Sequence, residues 1–370
     1  MAQFPPHLLG DGPHNPFPGV KAIERRIGRE ISHRLGSNEG LDMPHRALRA
    51  HFGDAMVEHV SCYADAEALG VRQRLQRLHG FALDSLLVDA GADSLIALVL
   101  RAVVTAEECV VATAGTYPAF AYFARGHGCR LIETPYVEAP GCLAPDLDAL
   151  VKTARKHRAR LVYLANPDNP SGHLHDDSAV AALREALPED CWLLLDEAYH
   201  DFRDDADSPF ARRVLPGVIR LRTLSKAHGM AGMRVGYAIA EPETLDVMRK
   251  VRIHYAVSNL SLIAAEVVLD HPAEVKEHVC AVKERRQRLA AYFSALGAEV
   301  LPSATNFVAV RLPDAELAGQ VHRGLLETGC LIAHPDHPSL AHILRISALK
   351  DALVPGRLAL LEEAVRPCTD

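Results

Sequence analysis

Between residues 46 and 270 the chain alternates short, unbroken apolar runs with stretches of helical spacing, and this alternation constrains the fold more than any other feature. Ser85–Val88, Cys109–Ala112, Arg130–Glu133, Arg160–Ala165, Cys191–Asp196, Val218–Arg222 and Val235–Ala240 read as strands. Helices fall between most of them. Ala66–His79 spaces Leu69, Val71, Leu75 and Leu78 along one face, and Ser94–Val104 buries Leu95, Ile96, Val99, Leu100 and Val103. Strands that are apolar throughout need cover on both faces, so the pattern predicts an α/β domain built on a mainly parallel sheet of seven strands. Residues 1–45, rich in Pro, Gly and His with one helical candidate near 20–29, read as an arm that belongs with the smaller domain. From about 271 the texture changes to a long charged helix, Glu274–Leu296, then strand Phe307–Arg311, helix Ala315–Thr328, strands Cys330–Ala333 and Ile343–Ser347, and a last helix. The expected division is therefore a large domain over 46–270 and a smaller α+β domain over 271–370.

Composition narrows the function classes. A net charge of -7 and a pI near 6.3 leave no basic footprint for nucleic acid. No apolar run approaches the ~18 residues that would span a membrane. The start, Met1–Pro6, lacks the charged segment and apolar run of a secretory signal. The eight cysteines (Cys62, Cys109, Cys129, Cys142, Cys191, Cys280, Cys330, Cys368) are scattered without a close pair, which fits reduced thiols in a cytoplasmic protein. His334, His337 and His342 sit near a Pro-rich turn without a helical His pair or Cys partner, and read as solvated loop residues, not as metal ligands.

The chemistry gathers at the strand ends, where parallel sheets bind ligands. Thr223–Tyr237 puts Lys226 in a loop of small residues with Arg234 eight positions on. An amine there can form a Schiff base with an aldehyde, and an arginine beside it can clamp a phosphate. Pyridoxal 5'-phosphate carries both groups. Asp196, closing its strand, can pair with a protonated pyridine nitrogen or cap a helix. Asn166, opening Asn166–Gly172, can donate to the phenolic oxygen of such a ring, or belong to an ordinary turn. Gly91, Ala92, Asp93 and Ser94 can admit a phosphate to a helix start, with Asp93 as its cap. Thr223, Ser225 and Arg234 would complete that cup. Tyr117 can stack on the ring or sit in the core. Tyr199 can share the phenolic oxygen. Arg345, among apolar residues, can grip a substrate carboxylate or lie on a strand edge.

In order, Gly91-Ala-Asp, Tyr117, Asn166-Pro-Asp-Asn-Pro-Ser-Gly172, Asp196-Glu-Ala-Tyr199, Ser225-Lys226, Arg234-Val-Gly-Tyr237 and Arg345 resemble the fold-type I, class I/II aminotransferases. Arg222-Thr-Leu-Ser-Lys226, Met230-Ala-Gly-Met-Arg234, Asn15–Gly19, Ser37-Asn-Glu39 and Pro338–Leu340 make the chain most similar to the histidinol-phosphate aminotransferase family. The resemblance runs nearly end to end. It implies a homodimer acting on amino acid and 2-oxo acid substrates, with Tyr63 reaching the partner's cofactor phosphate and Asn38 lying near the substrate. Two departures bear on the substrate. Phe17 stands where the family places an arm tyrosine, and Leu331–His334 lacks the family's second arginine. Charge-assisted hydrogen bonds contribute about 1.5–3 kcal/mol each, so losing two weakens the grip on a phosphate dianion. The expected substrate is a free amino acid held through Arg345, with His254, Tyr255 and Asn259 near its side chain. Decarboxylation, cyclisation or elimination would use the same residues, because the pocket selects which Cα bond breaks.

Overall fold

The computed structural model describes residues 20–36, 38, 39, 41–52 and 63–366. Phe17 and Cys62 lie outside them, as does Cys368. A sheet of seven strands forms the centre: β1 (Leu86–Asp89), β2 (Cys109–Thr113), β3 (Arg130–Thr134), β4 (Leu161–Ala165), β5 (Trp192–Asp196), β6 (Val218–Thr223) and β7 (Gly236–Ile239), in the order β1-β7-β6-β5-β4-β2-β3. Only β7 runs against its neighbours. Most strand residues are buried, as apolar runs covered on both faces require. Helices Gly91–Val103, Pro118–Gly126 and Pro242–Lys250 cover one face. Leu147–His157 and Asp177–Ala186 pack under β2, β4 and β5, and Leu69–His79 with Asn259–Leu269 under β1 and β7. Local chemistry starts these helices: Asp146 accepts from Ala149 N (2.9 Å), Asp176 from Ala179 N (2.7 Å), and Pro118 and Pro242 open theirs.

The C-terminal part adds an antiparallel sheet of three strands: β8 (Glu299–Leu301), β9 (Phe307–Arg311) and β10 (Ile343–Ser347). Helices Pro272–Ala295 and Ala315–Glu327 pack on it. His33–Arg34 pairs with Cys330–Leu331, and Leu35 joins the same core, so the arm is stitched to this part. The expected strand Cys330–Ala333 is thus shorter, with Ala333 bridging Arg345 across β10. One hairpin, Tyr136–Ala139 with Cys142–Pro145, has no counterpart in the sequence pattern, because prolines bracket it and no alternation marks it. No described helix is long and apolar enough to cross a membrane.

Candidate active site

β1, β2, β4, β5 and β6 finish at one edge of the sheet, and β7, running the other way, begins there. The topology therefore brings Gly91, Tyr117, Asn166, Asp196, Lys226 and Arg234 to the same rim, although they span much of the chain.

Asp196 ends β5 and is buried. Its Oδ2 accepts from the Tyr163 hydroxyl (2.8 Å) and its Oδ1 from the Ala198 N–H (3.0 Å). Both donors are neutral, and among the described residues no cation pairs with it. Burial pushes its carboxyl up to about 6. Lys226 follows β6, with Nζ 5.9 Å from the centroid of the Tyr199 ring. Burial, with the charge of Arg345 next in strength, pushes its amine down to about 8. Tyr199 is buried, and burial holds its hydroxyl protonated by raising its pKa.

The cradle at the start of Gly91–Val103 differs in detail from expectation. The helix begins at Gly91, so Asp93 lies in its first turn and is not its cap. Asp89 anchors this end instead, accepting from Ala90 N (2.7 Å) and from Ser94 Oγ (2.6 Å), with Arg252 Nε at 3.1 Å. A serine has one O–H, so Ser94 has spent its side-chain donor on Asp89. What the segment offers an anion is the unpaired N–H groups of the first helical turn. Gly91 has φ +83, and a Cβ on it would stand 2.6 Å from Arg234 Nη2. Arg234 lies 3.5 Å from Asp93 and donates to Ser225 Oγ (3.4 Å), which also receives the Thr223 hydroxyl (2.9 Å). Tyr117 donates to Asp93 Oδ1 (2.8 Å).

The Asn166–Gly172 loop carries a second correction. Asn166 exchanges two hydrogen bonds with the His175 backbone, at 2.9 and 2.8 Å, and so staples the loop. Asn169, three residues on, receives a hydrogen bond from Arg345 Nη1. Asp168 locks the loop from behind, accepting from Thr116 (2.8 Å), Tyr136 (2.9 Å) and Ser171 (2.6 Å). Arg345 also donates to Gly36 O (2.6 Å) and lies over the Phe307 ring at 4.9 Å. Among the described residues it has no carboxylate partner, and its Nε is buried without an acceptor. Asn38 does not face an open substrate space: its Nδ2 donates to the Tyr199 hydroxyl (2.9 Å). Tyr63 is 86% exposed, its ring 5.1 Å from that of Tyr255 and outside the cluster.

Sequence reasoning missed the support beneath this rim. Glu197 lies between Arg220 (2.8 Å) and Arg222 (2.9 Å), all three buried. The arginines hold the Glu197 carboxyl well below its ordinary range, though burial opposes them. The signal was present: two arginines inside an apolar strand demand a buried acid.

The residues fit pyridoxal phosphate. A buried carboxylate that pairs with no cation among the described residues suits a protonated ring nitrogen, a desolvated amine suits an aldehyde, and a glycine-walled helix start with an arginine suits a phosphate. The family profile described as "Aminotransferase class I and II" matches residues 32–355. A histidinol-phosphate aminotransferase of Anaeromyxobacter sp. is 34% identical, over 90% of this chain and 91% of its own length. The chain belongs to the class I and II aminotransferases. The crystal structure of histidinol-phosphate aminotransferase from Sinorhizobium meliloti, in complex with pyridoxal-5'-phosphate, superposes with a TM-score of 0.88 at 35% identity, covering 99% of this chain and 97% of that one. An L-threonine-O-3-phosphate decarboxylase from Porphyromonas gingivalis, at a TM-score of 0.68 and 18% identity over 90% of this chain and 98% of its own, shares the fold alone. This aminotransferase thus uses pyridoxal phosphate to move an amino group between an amino acid, or an amine like histidinol phosphate, and a 2-oxo acid.

Proposed function

We propose that the enzyme transaminates a free α-amino acid, with Lys226 as the cofactor's lysine. When bound, the cofactor supplies an electron sink for negative charge at the substrate Cα. Asp196 would keep the ring nitrogen protonated. Asn169 and Tyr199 would serve the phenolic oxygen, and Tyr117 would cover the ring. The first-turn N–H groups at Gly91–Ser94, with Ser225 and Arg234, would hold the phosphate. Lys226 Nζ, whose lowered pKa leaves a usable neutral fraction near pH 7, would be the base that takes the proton from the substrate Cα and, once protonated, the acid that gives it back. Arg345 anchors the substrate carboxylate through its planar fork.

The observation that carries the substrate class is the cation supply around Arg345. At Leu331–His334, Ile332 is buried, Ala333 bridges Arg345 through the backbone, and His334 Nε2 lies on Ala341 O (2.6 Å) with its ring against His322. No second guanidinium joins Arg345 from that segment, which supports one carboxylate over a phosphate dianion. Histidinol phosphate is the second reading, favoured by the names of the relatives. Titrating the visible absorbance of the purified holoenzyme with a panel of amino acids and with histidinol phosphate tests both. Bleaching by an amino acid, reversed by 2-oxoglutarate, names the donor. A tighter response to histidinol phosphate overturns the preference.

A homodimer completes the reading. Tyr63, Ile253 and Tyr255 leave large apolar surface in water, which supports cover by a second copy whose phosphate Tyr63 would reach. A fully active monomer in analytical ultracentrifugation would refute this. The unbridged cysteines, six among the described residues, support a reducing, cytoplasmic setting.

A further inference from the structure

Asn38, Ser347 and Tyr199 form a hydrogen-bond chain whose direction can be worked out donor by donor. The Asn38 backbone N–H donates to Ser347 Oγ (3.0 Å). Ser347 lies 2.7 Å from Asn38 Oδ1, and its hydroxyl has one proton to give, so that proton goes to Oδ1. The amide is thereby oriented, and its Nδ2 is the atom that meets Tyr199, at 2.9 Å. The flipped amide would set two N–H groups on Ser347 Oγ and strand a buried hydroxyl proton, since Ser347 is 1% exposed. Asn306 Nδ2, just before β9, donates to Asn38 O (3.2 Å) and fixes the same residue. Asn38 has φ 53, a left-handed conformation that asparagine tolerates better than most residues. The Tyr199 oxygen is therefore an acceptor toward Asn38, and among the described residues nothing takes its proton.

We infer that Asn38 and Ser347 are positioning residues that turn the Tyr199 hydroxyl proton into the active site. The arm and β10 thus set the polarity of a side chain carried by the turn after β5. This rests on the reading that Tyr199 serves the cofactor's phenolic oxygen.

The test is the spectroscopic pKa of the resting holoenzyme, read from its visible absorbance between pH 5 and 10 (a range of about five units bracketing neutrality), together with the cofactor dissociation constant. A donor on the phenolic oxygen favours its negative charge most when no proton sits on the neighbouring nitrogen, so losing the donor raises this pKa. Tyr199→Phe is expected to raise it by about one unit. Asn38→Asp presents only acceptors to Tyr199 and captures its proton, so it should raise the value at least as far. Ser347→Ala adds no charge and frees the amide to flip, and should raise the value by about half a unit. It should also weaken cofactor binding by roughly twofold to threefold. A merely structural role would lower the melting temperature and leave the spectroscopic pKa in place. If Tyr199→Phe moves the pKa and Ser347→Ala does not, the relay is wrong and the reading of Tyr199 stands. If Tyr199→Phe moves nothing, that reading fails, and the relay with it. Should Asn38→Asp not fold, Ser347→Ala decides alone.

Discussion

Replacing Asp196 with asparagine should push the apoenzyme and the holoenzyme in opposite directions. In the apoenzyme the carboxylate is buried against two neutral donors, and its pKa rises from 3.8 to about 6. A raised acid pKa means that the ionised group costs stability. The cost is absent below pH 3.8, where the group is protonated folded or unfolded, and grows until it is complete above about pH 6. A difference near two units corresponds to about 3 kcal/mol at neutral pH. The asparagine side chain would remove the charge but retain only one carbonyl acceptor, and mispairing one of two hydrogen bonds returns about 1 kcal/mol. Asp196→Asn should therefore stabilise the apoenzyme by about 1–2 kcal/mol at pH 8, with the gain fading as pH falls toward 4. The holoenzyme should lose a buried ion pair, about 3–5 kcal/mol, and with it at least a hundredfold in cofactor affinity or turnover. Denaturant unfolding of the apoenzyme at pH 8 and pH 5, with cofactor titrations and transamination rates of both proteins, reads these quantities. An apoenzyme destabilised at pH 8, or cofactor affinity and turnover both unchanged, would refute the assignment.

Lys226→Ala should abolish both transamination and the lysine-dependent visible absorbance; survival of that absorbance would mean that another amine holds the cofactor. In the apoenzyme, acylation of Lys226 followed by peptide mapping should show a midpoint near pH 8, where an ordinary lysine gives 10.5. Gly91→Ala forces a side chain into φ +83 and against Arg234, and should cost about 1–3 kcal/mol. Its cofactor affinity should fall further than its stability, and a variant with wild-type affinity counts against the cradle. Glu197→Gln leaves Arg220 and Arg222 buried beside a neutral group, and chemical denaturation at pH 7 should register a loss of about 3–5 kcal/mol. Because the folded-state pKa of Glu197 is depressed, its stabilisation is present above pH 4.5 and fades as pH falls below it, so the wild type and the variant should converge in acid.

What could be read from the sequence was what depends on local pattern. Each strand of the large sheet lies within two residues of its apolar run, because a covered parallel sheet has to be apolar throughout. Asp196 closes β5 and Lys226 follows β6 by three residues, so topology alone puts both on one rim. What could not be read was which polar atom meets which. Asn166 and Asn169 occupy equivalent places in one motif, each before a proline, yet one pairs with the His175 backbone and the other with Arg345. Asp93 has the right residue type for a cap, but the helix starts two residues before it, and Asp89 takes over from the end of β1. Phe307 gave no sign of lying under both Arg345 and Tyr199, since an aromatic in an apolar strand reads as core. Asn38 and Ser347 are 309 positions apart, and no periodicity joins them. Arg220 and Arg222 are the instructive exception: a charge inside a strand that must be buried requires a counter-charge, and Glu197, just past the end of the neighbouring strand, was available. The same requirement applied to Asp196 finds no cation among the described residues, a need that the protonated ring nitrogen of the proposed function would meet.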